Sequence, residues 1–129
     1  MDIRKFDSRT NAEKGMRCYL EQPTEKNKEG AGLILYGADS SFCKEIEAEQ
    51  LRRNRERRSP LSQEEVENQV RERLAACTKG SFGLTDEGKP FEVKPETAAE
   101  FYKEFPEYAE RAANFIFARA NFFPTALTN

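Results

Sequence analysis

The sequence predicts an α+β domain, mostly α-helical: an N-terminal β-hairpin followed by a helical hairpin, a short extended segment and two C-terminal helices. Three observations carry this. Residues 16–36 alternate and then run apolar as strands do, residues 40–77 hold two capped segments with apolar side chains at helical spacing, and prolines at 95, 106 and 124 punctuate a helical C-terminal third. At 129 residues, 37% apolar and 34% charged, the chain suits one domain, residues 1–129, with a single modest core. Leu, Ile, Val and Phe supply only 25 of the 129 residues, about 19%, so the core is expected to be thin and to gain from self-association or from a partner.

Thr10-Asn11-Ala12-Glu13 reads as a capping box opening a short helix that Gly15 stops. Met16, Cys18 and Leu20 then alternate with Arg17, Tyr19 and Glu21, the period of a strand with one buried face. Beyond a polar connector, Glu21 to Gly30, the run Ala31 to Tyr36 is apolar on both faces and completes an antiparallel hairpin with a long loop. Asp39 or Ser40 supplies the N-cap of a helix running to about Arg58, where Ser59-Pro60 ends it; its apolar stripe is Phe42, Cys43, Ile46 and Leu51.

The next helix carries the strongest signals: a Ser62–Glu65 capping box, Leu61 and Val66 as a hydrophobic staple, and Val66, Val70, Leu74 and Cys77 on one stripe. Gly80 stands where its C-terminal cap belongs. Two extended pieces, Ser81–Leu84 and Phe91–Val93, flank a turn-rich connector. Pro95 is placed to open a third helix carrying Ala98, Phe101 and Tyr102 and ending near Phe105. A fourth helix runs from Pro106 to about Phe122, and Pro124 closes it.

Composition excludes several chemistries. The chain has no His, which removes His-based triads and His-containing metal sites. Cys18, Cys43 and Cys77 are too widely spaced for a zinc motif and do not make a complete disulfide framework; Cys18 and Cys77 read as small core residues, and a reducing cytoplasm is the expected compartment. No apolar run of signal-peptide or membrane-spanning type is present. The carboxylate clusters Glu64, Glu65, Glu67 and Glu104, Glu107, Glu110 fall at helix N-termini or on exposed faces. No catalytic residue, metal or cofactor is expected.

Two features exceed what a fold requires. The run from Arg52 to Arg58 holds five arginines in seven residues. It reads first as a solvated helix end, with cations favoured in the last turn and Glu45, Glu47 and Glu49 offsetting them. A protein-binding patch that includes Arg53 and Arg57 is the next reading, and a regulatory nucleic-acid-binding protein the third, disfavoured by a net charge of −2 and by the lack of interleaved aromatics.

In the last helix Tyr108, Ala112, Phe115, Ile116 and Arg119 mark one stripe, whereas Phe117 points away and Phe122 and Phe123 extend past the end. Either the helix is sandwiched inside its own domain, or Phe117, Phe122 and Phe123 are covered by a sister subunit or a partner.

The order of elements, with Gly37-Ala38-Asp39-Ser40 after the strand pair, Pro90-Phe91-Glu92-Val93-Lys94-Pro95-Glu96-Thr97-Ala98 before the last helices, and Arg119-Ala120-Asn121-Phe122 near the close, resembles the tail assembly chaperones of long-tailed bacteriophages. Lys94 stands where a Ser, Thr or Asp cap is usual. The resemblance implies a non-enzymatic protein of the infected bacterium's cytoplasm, absent from the finished tail. It would bind the tape measure protein, keep it soluble and help recruit tail tube subunits. Such proteins are often made in two lengths by a programmed ribosomal frameshift. A homo-oligomer is expected, with no membrane partner.

Overall fold

A computed structural model describes residues 1–124. The elements in chain order are α1 (Arg9–Lys14), β1 (Met16–Glu21), β2 (Ala31–Leu35), α2 (Ser41–Arg55), α3 (Gln63–Ala76), β3 (Thr78–Phe82), β4 (Thr85–Asp86), β5 (Lys89–Pro90), α4 (Ala98–Glu104), α5 (Pro106–Phe117) and a 3₁₀ turn, Arg119–Phe122. The expected α+β class and the order of hairpin, helical hairpin and C-terminal helices are as observed.

The sheet has three antiparallel strands in the order β1-β2-β3. Its central position explains why β2 is apolar on both faces. Cys18 pairs with Leu33 and Met16 with Leu35, so Cys18, Leu33 and Leu35 share the face that meets the helices. On the other face Gly32 lies between Tyr19 and Phe82, whose rings meet edge to face at 5.3 Å, and the Arg17 guanidinium covers Phe82 at 4.4 Å. Cys43 of α2, Leu74 of α3 and its C-cap Cys77, Val93 before α4, Ala98, Phe101 and Tyr102 of α4, and Ala112 and Ile116 of α5 complete the core.

Several sequence expectations are corrected. The extended piece expected at Ser81–Leu84 is instead the end of a strand that begins at Thr78, where Thr78-Lys79-Gly80 has little strand propensity and Gly80 mimics a helix cap; α3 ends at Ala76 with Cys77 as its C-cap, and Gly80 pairs with Ile34. Satisfying the open edge of β2 outweighs local propensity there. The Thr10–Glu13 capping box does not form. Ser8 occupies the N-cap of α1, and Glu13 reaches across to α2, where Ser41 donates both its amide and its hydroxyl to the Glu13 carboxylate. That places an anion at the N-terminus of α2, beside the Ser40 hydroxyl that accepts the Cys43 amide.

The third helix starts at Ala98 rather than Pro95. Residues 94–97 form a turn in which Thr97 Oγ1 accepts the Lys94 amide at 3.0 Å, so Lys94 is not a helix cap. α5 ends at Phe117, before the 3₁₀ turn, and not near Phe122. The cysteine spacing offers no disulfide framework, yet Cys43 and Cys77 form a disulfide bond across 34 residues with their Cα atoms 5.5 Å apart. The antiparallel α2–α3 hairpin brings the start of one helix to the end of the other, a proximity that sequence spacing does not reveal. Cys18 is free and buried.

Candidate partner-binding groove

The α2–α3 hairpin is held by a polar seam. Gln50, almost fully buried, donates to the Gln69 carbonyl at 2.8 Å and to Glu72 at 2.9 Å, and Asn54 and Gln69 exchange reciprocal amide hydrogen bonds. The arginine run closes the same seam. Arg53 pairs with Glu72, and Arg57 pairs with Glu65 at 2.7 Å, while Glu65 also accepts the Ser62 amide to complete the capping box. The Ser62 amide, then Arg57, holds the Glu65 carboxyl below the usual carboxylate range. Arg52 is taken up by Glu49 and Glu56. Arg53 and Arg57 are thus tied to α3, and of the five arginines only Arg55 and Arg58 make no ion pair among the described residues.

The apolar stripes of the two helices are real but only half covered. Leu74 and Cys77 are buried, because α4 and α5 pack against the end of α3; Val66 and Val70, further back on the same stripe, are 41% and 38% exposed. Leu51 on α2 is 53% exposed and Phe117 at the end of α5 is 60% exposed. These residues line one groove. A small cavity of about 90 Å³ between Ile46, Val70, Leu74, Ile116 and Phe117 and a wider one of about 320 Å³ walled by Leu51, Leu61, Val66 and Gln69 meet at two shared residues, Glu47 and Arg73. Glu47 and Arg73 border both and make no ion pair with any described residue. α3 has 14 residues, so the groove follows a helix about 20 Å long at 1.5 Å per residue.

The three rings expected to face a partner separate. Phe117 lies on the surface. Phe122 does not: it is 1% exposed, packed edge to face on Phe115 at 5.4 Å. Phe123 is half-buried, its ring against Phe6 at 5.3 Å and its carbonyl accepting from Asn11. The reason is a tether invisible in the sequence. Arg119 forms a bidentate pair with Asp39 at 2.9 and 3.0 Å, and Asp39 also accepts the Ser8 hydroxyl at 2.7 Å. Arg119, then Ser8, holds the Asp39 carboxyl below its ordinary range. This folds the 3₁₀ turn onto α1 and Gly37, where a Cβ would lie 2.7 Å from Ala12 Cβ and 3.1 Å from the Phe122 ring.

Val66, Val70 and Leu51 were missed as surface residues because periodicity identifies a stripe without saying how far the rest of the chain covers it. Among the described residues no group of three or more His, Cys, Asp or Glu side chains could hold a metal ion, and no helix is long and apolar enough to cross a membrane. The largest displaced acidity belongs to Tyr102, pushed up to about 12 by burial while its hydroxyl bonds to Thr78 Oγ1 at 2.7 Å. Thr78 spends its own proton on the Leu74 carbonyl, so Tyr102 is the donor, tying α4 to the start of β3. No protein-family model, curated protein or solved structure matches the chain.

Proposed function

We propose that the protein is a non-enzymatic binding protein, a tail assembly chaperone of the kind that long-tailed bacteriophages produce, and that its client is an apolar helical segment of the tape measure protein. The observation that carries this reading is the uncovered strip Leu51, Val66, Val70 and Phe117 along the α2–α3–α5 groove. A helix with apolar residues at i, i+3, i+4 and i+7 fills such a groove, and the mixed charge of Glu47 and Arg73 at its border suits either polarity of client. The order of elements that resembles the family supports the same reading, as does the lack of catalytic groupings in the sequence. Binding would take place in the infected cell before the tail is complete, with tail tube subunits recruited afterwards. Without a client, the same strip would carry self-association.

Co-expression with the tape measure protein encoded by the same phage tests the proposal. The wild-type chain should keep the tape measure protein soluble and co-purify with it, whereas Val70→Ser with Phe117→Ser should lose both while melting within a few degrees of wild type. A folded double variant that still solubilises the tape measure protein would overturn the assignment of the groove, and no association by the wild-type chain would overturn the chaperone reading.

A further inference from the structure

A second cavity, of about 420 Å³, shares no lining residue with the groove. One wall is aromatic. Phe101 lies at its centre, with Phe105 at 5.5 Å, Phe91 at 6.0 Å and Tyr108 at 5.8 Å between ring centroids, the last nearly parallel at 8°. Around these rings stand Glu21, Asp86, Glu87 and Glu104, and no lysine or arginine lines the cavity. In a chain with 21 basic and 23 acidic residues, such segregation is not expected from composition.

None of the four carboxylates makes an ion pair with a described residue. Lys89, which pairs with Asp86 in the β4–β5 ladder, and Lys103, next to Glu104 in sequence, make no ion pair with them, and Arg111 donates to the carbonyls of Tyr19 and Leu20. The β4–β5 hairpin brings Asp86 and Glu87 to the mouth, its tip formed by Glu87 and Gly88 with φ of 49° and 81°.

We infer that this cavity binds the side chain of an arginine presented by a partner polypeptide. Aromatic faces attract cations through the ring quadrupole, and carboxylates without a cation of their own favour one brought to the cavity. A guanidinium meets both features at once, stacking flat on a ring while its fork of N–H donors engages a carboxylate with two hydrogen bonds. The volume lies within the range of ligand pockets, roughly 300–1,000 Å³, and exceeds what a single side chain fills, which leaves room for the backbone that carries it.

Isotope-labelled full-length protein titrated with the peptide acetyl-Gly-Ser-Arg-Ser-Gly-amide, and followed by NMR, tests the inference. Resonances of Phe91, Phe105 and Tyr108 should move, and the neutral citrulline version should bind at least tenfold more weakly. Glu87→Gln with Glu104→Gln should weaken the arginine peptide at least fivefold without lowering the melting temperature; if that pair fails to fold, Glu21→Gln with Asp86→Asn serves instead. Equal binding of the citrulline peptide, shifts confined to other surfaces, an unchanged affinity in the folded variant, or no binding at millimolar peptide would each overturn the inference. Tighter binding of a trimethyllysine peptide would overturn the choice of arginine. All these outcomes leave the groove and its client unaffected.

Discussion

Phe122 and Phe117 are five residues apart in one aromatic segment, and the structure assigns them opposite roles. Phe122 is 1% exposed, so Phe122→Ala removes a fully buried ring and leaves a cavity bounded by Phe115, Ala12 and Gly37. Buried Phe→Ala replacements cost about 3–5 kcal/mol. At the few degrees per kcal/mol typical of a domain this size, the melting midpoint should fall by about 10–25 °C.

Phe117 is 60% exposed, so only two fifths of its surface is at stake. Scaling the roughly 1.5–3 kcal/mol of a fully buried Phe gives about 1 kcal/mol for Phe117→Ser. Urea and thermal unfolding read the stabilities, and sedimentation reads self-association. The 3₁₀ turn could also undock without global unfolding, and amide exchange at Gly37 and Ala38 detects this, since their N–H groups bond to the Ala12 and Ile116 carbonyls beneath it. If Phe122→Ala melted within about 1 kcal/mol of wild type, with unchanged exchange at both amides, the docked tail would be refuted.

Gly37→Ala drives a methyl group into Ala12 and the Phe122 ring and should cost about 1–3 kcal/mol, a penalty reduced in the Phe122→Ala background because one of the two clashes is gone; a double-mutant cycle in urea checks this. Tyr102, with its pKa raised from 10.0 to about 12, keeps its proton longer folded than unfolded. Its contribution is therefore complete below pH 10 and is lost as pH rises towards 12, an extra decline of about 2–3 kcal/mol that Tyr102→Phe should abolish in alkaline melts, at a cost near neutrality of about 1 kcal/mol for the lost hydrogen bond.

Reduction of Cys43–Cys77, or Cys43→Ala with Cys77→Ala, opens a 34-residue loop. It should lower stability by up to about 3–4 kcal/mol on the chain-entropy account. Thiol titration of the unreduced, unfolded protein should find Cys18 alone; three reactive thiols would contradict the bond.

Elements whose signals are local were legible from the chain. The Ser62–Glu65 capping box, the Ser40 N-cap and the proline boundary at 106 depend on groups within a few residues of one another, and the two strands of the β1–β2 hairpin show in the apolar pattern within each strand. The start of β3 was not legible because its stability comes from pairing with β2, about 45 residues earlier in sequence, and not from Thr78-Lys79-Gly80 itself.

Helical spacing alone puts Val66, Val70, Leu74 and Cys77 on one side of a helix and turns Phe117 away from the stripe of α5. Which of them water reaches is settled by packing between elements. Helical periodicity fixes direction around an axis, whereas burial depends on whether another element arrives there. α4 and α5 reach Leu74 and Cys77 and stop short of Val66 and Val70, while the Asp39–Arg119 pair, linking residues 80 apart, draws Phe122 inward and leaves Phe117 on the surface.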